Sequence, residues 1–340
     1  MYTPPFTITD EVLQLVSEIS LQLGRMEALS EAQLPSPMLR KENRIRTIHS
    51  SLAIEHNSLT LQQVTDIVNG KRVLGAPDEI MEVKNAIDAY HLMQSLDAFC
   101  EKDLLKAHAA MMHELVHTAG RFRFSSVGVF DAQGHCIHMA PPAARVPWLI
   151  QDLFEWISTT QTHPLISSCV FHYEFEFIHP FEDGNGRMGR FWQTLLLSRW
   201  KPVFAWLPVE TIVRENQDGY YAAIAQSDHE ANSTPFIVFM LNCLLRVIKM
   251  HAYPNVENGE TSNVTLSKSE EKVLECLRLN GRLTMADVSE QTGLSLSGVK
   301  KIIASLKKIG VLEHRGASKS GEWVVKFQKW PVSRPEVAKK

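Results

Sequence analysis

Residues 179–190 read His-Pro-Phe-Glu-Asp-Gly-Asn-Gly-Arg-Met-Gly-Arg, and an apolar run, Phe191-Trp192-Gln193-Thr194-Leu195-Leu196-Leu197, follows at once. The run reads as a buried helix, so the chain must turn through Gly184-Asn185-Gly186 into its start. A helix start offers free backbone N–H groups and the positive end of the helix dipole, which together suit an anion. Gly184 and Gly186 let the backbone approach such a ligand closely, and Arg187 and Arg190, three apart, share a helix face. The stretch, with Gly189 in the same candidate set, is organised for a polyphosphate. Asp183, just before the turn, is placed to hold Mg²⁺ against the phosphates, and His179 is the natural proton acceptor. Each residue taken singly has a plainer reading, since such a turn is usually only a turn and a histidine is usually core or surface. Eight specified positions out of twelve make the set specific.

That pattern, His-x-Phe-x-Asp-Gly-Asn-Gly-Arg-x-x-Arg, resembles the signature of the Fic family, with every specified position matched. The resemblance covers roughly residues 1–250. It implies a mainly α fold: an all-helical core with a small β-hairpin flap, here followed by a C-terminal winged helix-turn-helix domain. It also implies a protein adenylyltransferase that moves AMP from ATP, with Mg²⁺, to a Ser, Thr or Tyr hydroxyl of a protein target, self-adenylylation included. In that scheme Gly184, Asn185, Gly186, Arg187, Gly189 and Arg190 hold the nucleotide, Asp183 the metal, and His179 is the base. Death-on-curing kinases carry Lys where this chain has Gly186, so AMP transfer is expected rather than phosphorylation.

Upstream, Ser51-Leu52-Ala53-Ile54-Glu55 puts Ser51 and Glu55 four apart, on one helix face. It resembles the family's inhibitory helix, Ser/Thr-x-x-x-Glu-Gly/Asn, whose glutamate pairs with the last signature arginine, here Arg190. A carboxylate there neutralises the charge meant for the γ-phosphate. The chain departs from the pattern at His56. Tyr220-Tyr221 would ordinarily be core, but a matching pair in relatives lines the adenine and ribose pocket. Relatives often place Asn seven residues later, where this chain has Asp228.

The first third is patterned for helices over 8–24, 37–56, 78–99 and 102–117, with Thr60-Leu61-Gln62-Gln63 a capping box. His113-Glu114-Leu115-Val116-His117 matches a zinc-protease pattern. The apolar stripe Leu104, Leu105, Met111, Met112 and Leu115 turns His113 and His117 to solvent, however, and His108 falls on the stripe as a hydrogen-bonded core residue. Short β-like runs flank Asp131-Ala132-Gln133-Gly134, a hairpin signal. By resemblance this is the flap that registers an extended target segment by strand addition, with Val127, Gly128 and Val129 at its centre; the plainer reading is a surface hairpin.

A polar linker, 251–265, precedes Ser267–Leu279, Met285–Gln291, the Thr292-Gly293-Leu294 turn, Ser295–Ile309 and two β-like runs, an order resembling a winged helix-turn-helix. The expected division is 1–100 an N-terminal helical region, 101–250 the catalytic core, 251–265 linker and 266–330 winged helix. Net charge is −3, but residues 266–340 hold 15 Lys/Arg against 8 Asp/Glu while 1–265 hold 20 against 30. A basic domain on an acidic body hints at nucleic acid, with Ser297, Lys300 and Lys301 outward on the recognition helix and Lys319 at the wing; the alternatives are a merely solvated surface, or a domain that binds protein or dimerises. The competing function is a transcriptional regulator that uses the Fic body as a nucleotide sensor. Five scattered cysteines, no basic-then-apolar leader and no uninterrupted apolar run of membrane length make the cytoplasm the expectation, with no membrane partner. Oligomeric state stays open between monomer and homodimer.

Overall fold

The computed structural model describes residues 2–27, 37–126, 128–130, 136–252, 268–308, 312–315 and 322–325. The chain divides into two compact units, Met1–Pro254 and Asn255–Lys340, each with its own hydrophobic core.

In the first unit the helices are α1 (Asp10–Glu27), α2 (Pro37–Ile54), α3 (Leu61–Val68), α4 (Pro77–Leu92), α5 (Glu101–Met111), α6 (Val146–Thr159), α7 (Pro164–Ile178), α8 (Asn185–Trp200), α9 (Val209–Glu215), α10 (Gln217–Glu230) and α11 (Thr234–Ala252). One antiparallel hairpin, β1 (Gly128–Phe130) and β2 (Cys136–Met139), lies between α5 and α6. Its register pairs Gly128 with Met139 and Val129 with His138, then shifts before Phe130 meets Cys136.

Helices α7 and α8 form the centre. Residues Leu165–Phe175 and Arg187–Leu197 are buried on every side, as expected of helices enclosed by others. Helix α7 packs on α8, α6 and α11, and α11 packs on α1, α9 and α10. Helix α11 is long and apolar enough, by length and composition, to cross a membrane. Its Phe236, Ile237, Leu241, Leu244 and Ile248 are spent on this core. Trp192, fully buried, donates its indole N–H to Ala98 O at 3.1 Å, which ties α8 to the start of α5.

The sequence-based bounds shift at α1, α4 and α5; the helix expected over 78–99 ends at Leu92 and passes into a single 3-10 turn, Met93–Ser95. Helix α1 continues through Gly24 to Glu27, because a Gly inside a helix weakens it without ending it. Helix α5 stops at Met111, and Glu114 takes a left-handed backbone (φ 59°). The His-Glu-Leu-Val-His stretch is therefore turn rather than helix, with His113 and His117 exposed, and the helical spacing that a zinc pair needs is absent. The Thr60 capping box forms as read.

The second unit comprises α12 (Lys268–Leu279), α13 (Met285–Thr292), α14 (Leu296–Lys308) and the antiparallel pair β3 (Leu312–Arg315) and β4 (Glu322–Val325). Its core is Val273, Leu277, Val288, Val299, Ile303 and Leu306, with Trp323 packed against it. Thr284 and Asp287 build a capping box on α13, and Gly293, at φ 70°, ends it. Gly281 does more than stop α12: its carbonyl accepts from Trp323 N at 2.6 Å, so a side chain there would strike the backbone of β4.

Candidate active site

The candidate site is the α7–turn–α8 unit. Helix α7 ends because His179 turns left-handed (φ 51°, ψ 60°) and Pro180 follows. His179 is half-buried, and its Nδ1 lies 3.4 Å from Glu176 O. A proton on Nδ1 donated there makes Nε2 the basic nitrogen. Phe181, fully buried, anchors the turn by stacking on His108, with ring centroids 3.6 Å apart and planes 5° apart. His108 is indeed a core residue: Nε2 meets Asp183 O at 3.1 Å and Nδ1 accepts from Gly120 N at 2.8 Å. Burial pushes its pKa down to about 4, so the ring is neutral and Nε2–H is the donor.

Gly184 caps α8 with φ 82°, and a Cβ there would sit 2.6 Å from Met112 Sδ. Asn185 is 2 % exposed and closes on Phe181 in both directions, accepting from its N and donating to its O, each at 2.9 Å. Its side chain thus shapes the turn, with both polar atoms hydrogen-bonded. The expected hold of Asn185 on the nucleotide is therefore left to its backbone rather than to an open side chain. Gly186 opens the floor of the site, where a Cβ would collide with Glu55 Oε1. Gly189 does a different job from nucleotide contact. It lets α8 pass α7, since a Cβ would meet Glu176 Oε1 and the His172 ring below 3 Å.

Both signature arginines are buried and already bear carboxylates. Arg187 donates to Glu82 Oε1 at 3.1 Å and to Asp183 Oδ2 at 3.0 Å. Arg190 donates through Nε to Ser51 Oγ (3.1 Å) and through Nη2 to Ser51 O (3.0 Å) and Glu55 Oε1 (2.7 Å). Burial alone would lower the Arg190 pKa, but the Glu55 carboxylate overrides it and keeps the guanidinium charged. The Ser51–Glu55 spacing thus delivers both residues to Arg190.

Helix α2 ends at Ile54, one residue before Glu55, and His56 directly after Glu55 is left-handed at φ 70°. Asn57 then plugs the turn, donating to Glu79 O (3.1 Å) and Glu82 Oε2 (2.8 Å) and accepting from Leu59 N. Glu82, which sequence reading missed, joins the end of that helix to Arg187.

The tyrosine pair separates. Tyr220 is 1 % exposed, packed among Phe236, Phe239 and His172, with its hydroxyl 3.1 Å from His172 Nε2. That leaves no open ring face for a base, so Tyr220 belongs to the core. Tyr221 is 47 % exposed, and its hydroxyl pKa is raised by burial and then by the Glu55 charge, which places it at the site. Asp228 accepts from Tyr173 OH at 2.7 Å. Gly128 lies in β1 opposite Met139, and Val129 opposite His138. Val127 lies outside the described residues.

Asp183 is a hard oxygen donor at the mouth of the turn, its side chain 58 % exposed. No cluster of three or more His, Cys, Asp or Glu forms a ready-made cage among the described residues. One carboxylate beside a phosphate cradle fits Mg²⁺, which commonly takes one or two carboxylates plus substrate oxygens.

In the second unit α14 exposes Ser297, Lys300, Lys301 and Ala304 on one face; Lys319 lies outside the described residues.

Residues 96–197 match the Fic/DOC family model, and 266–313 match a winged helix-turn-helix DNA-binding model. A crystal structure of a Fic family protein from Desulfovibrio desulfuricans G20 is 42% identical, with a TM-score of 0.72 over 97% of this chain and 100% of that one. Fic-1 from C. elegans shares the fold at 20% identity, with a TM-score of 0.59 over 71% of each chain. Curated relatives called protein adenylyltransferase Fic include those of Nematostella vectensis, 26% identical over 69% of this chain and 55% of its own length, and of Aedes aegypti, 28% identical over 68% and 46%. The chain spans about half the length of these curated relatives.

Proposed function

The chain belongs to the Fic family, and from that membership and the site geometry we propose that it is a protein adenylyltransferase held inactive by Glu55. The observation that carries this reading is the convergence on one turn: a base at the end of α7, a glycine-opened helix start, and Arg190 one helical turn into α8. ATP lies over Gly184–Gly186, with its α-phosphate against the N–H groups of the helix start. Arg187 lends positive potential beside the β-phosphate, and Arg190 orients the γ-phosphate. Tyr221, rather than Tyr220, offers a ring to the base.

A Ser, Thr or Tyr hydroxyl of the target protein attacks Pα. The new O–Pα bond forms as the bond to the bridging oxygen breaks, the hydroxyl proton passes to His179 Nε2, and pyrophosphate leaves. Asp183 would hold Mg²⁺, whose charge would stabilise the departing pyrophosphate. The turn contributes orientation and fixed donors. Glu55 blocks this in two ways: it satisfies Arg190, and its carboxylate fills the space above Gly186.

The test is incorporation of AMP from α-labelled ATP, with γ-labelled ATP as control. Glu55→Gly is expected to label itself or other proteins with the α-label only, with wild type far weaker. His179→Ala in the same background should fall roughly 10²–10⁴-fold. Transfer of γ-label would instead mean a kinase, and silence of all three would sink the transferase reading.

A second reading, operator binding by residues 255–340 with the Fic body as nucleotide sensor, is favoured by the exposed Ser297, Lys300 and Lys301 face of α14.

A further inference from the structure

Arg123 is 2 % exposed, and no carboxylate among the described residues pairs with it. Its guanidinium is spent on main-chain carbonyls. Nε donates to His179 O at 2.7 Å, Nη1 to Ser125 O at 2.8 Å, and Nη2 to Pro141 O and, at 3.3 Å, to Ile178 O. Its own N–H donates to Pro180 O at 2.9 Å. These acceptors belong to two features the proposed transfer must bring together. Ile178, His179 and Pro180 are where α7 ends and the base turns left-handed. Ser125 and Pro141 are the two stems of the β1–β2 hairpin, three residues before β1 and two after β2.

The last carbonyls of a helix lack intrahelical donors, and a cation at that end also complements the dipole. One planar fork of five N–H donors can serve four carbonyls at once, which an ammonium group cannot do in a fixed geometry. A buried charge with only neutral acceptors is a demanding arrangement to maintain, so the four contacts hold it as much as it holds them. The left-handed conformation of His179, unusual for a residue with a side chain, persists where surrounding contacts over-determine it.

The geometry points to Arg123 as a positioning residue that locks the His179 main chain and both stems of the hairpin into one rigid unit, so that a target segment registered on the hairpin meets the base at a fixed distance. Arg123 touches neither nucleotide nor target. It acts through His179 and through the hairpin, and this deepens the transferase reading on which it rests.

The test uses the full chain carrying Glu55→Gly, with Arg123→Lys and Arg123→Ala added separately. Self-labelling from α-labelled ATP is followed at saturating ATP, and affinity for a fluorescent ATP analogue is measured alongside. Amide hydrogen exchange is read at 128–130, 136–139 and 179. Arg123→Lys is expected to lower the labelling rate about 10- to 100-fold, the scale of a slight misplacement of a catalytic group. Analogue affinity should change less than about twofold, while exchange at both strands and at residue 179 rises together. Millimolar guanidinium should restore part of the rate to Arg123→Ala, which a general loss of structure would not allow.

Parental labelling and parental exchange in Arg123→Lys would overturn the inference. So would a loss of analogue affinity in proportion to rate. If the Glu55→Gly parent transfers no AMP, the transferase reading fails on its own, and the exchange pattern at the strands and at residue 179 still decides whether Arg123 couples them.

Discussion

Three histidines around the turn differ in burial. His179 is half-buried, whereas His108 and His172 have no exposed surface. His108 has its pKa pushed from 6.5 down to about 4, so as pH falls the unfolded chain takes up its proton first. Its share of stability is therefore present above about 6.5, is lost progressively below that, and levels off below about 4, for a total of about 3 kcal/mol at most. His108→Gln should be less stable than wild type at pH 7.5, and urea melts at pH 7.5, 6 and 5 should show the gap narrowing; a constant gap would contradict the buried neutral ring. Glu174 runs the other way. Burial raises its pKa to about 7, opposed by the Tyr2 hydroxyl at 2.8 Å and reinforced by Asp228. Its native form holds the proton more tightly than the unfolded chain, so stability is lost as pH rises from about 4.5 through 7. Glu174→Gln should leave the thermal midpoint at pH 4.5 nearly unchanged and raise it at pH 8. Such residues are hard to read from sequence. His108 could be placed from its helix stripe, but Glu174, Glu82 and Arg123 look like surface charges until distant segments close over them. Asn185 and Tyr220 mislead for the opposite reason: a polar side chain in a signature and a ring beside a pocket both suggest ligand contact, yet one ties a turn and the other fills a core.

At the scale of elements, α2 and the α7–turn–α8 unit were the most legible, because their spacing encodes the chemistry directly. A spacing of four from Ser51 to Glu55 means one face, and two glycines around Asn185 mean a turn into a helix start. What spacing does not encode is how a helix ends in three dimensions. The departure from the family pattern at His56 now has a physical meaning: the position is left-handed, which Gly and Asn tolerate and a histidine does not favour. Left-handed strain of about 1–2 kcal/mol, set against the extra freedom that Gly gives the unfolded chain, predicts that His56→Gly stabilises the protein by about 0.5–1 kcal/mol. Because Glu55 directly precedes the strained residue, the same change should hold the Glu55–Arg190 pair more firmly and lower any residual wild-type AMP transfer. Chemical denaturation and α-label incorporation on the one variant check both halves. A destabilised or more active His56→Gly would mean that the strain is not located at this turn.

For the whole molecule, the two cores share no buried residue among those described, so the units should be separable in stability and in activity. A chain ending at 254 with Glu55→Gly is expected to self-label within about threefold of the full-length Glu55→Gly protein, since every residue assigned to the transfer lies before that point. The other unit is net positive, and on α14 basic residues sit on a face whose neighbours, Ser297 and Ala304, are short enough to let a helix lie close to a duplex. If that face meets DNA, affinity falls linearly on a logarithmic salt axis as phosphate contacts release counterions, and Lys300→Ala and Lys301→Ala each reduce the slope by about one. Titration of full-length protein into a labelled duplex pool at several salt concentrations, with and without ATP, distinguishes the assignments. Salt-steep binding that ignores ATP would make the winged helix a targeting module for an independent transferase. Binding that appears only with ATP would tie the units into a nucleotide-sensing regulator, and binding without a salt slope would remove DNA from consideration and turn the α14 face into a surface for another protein.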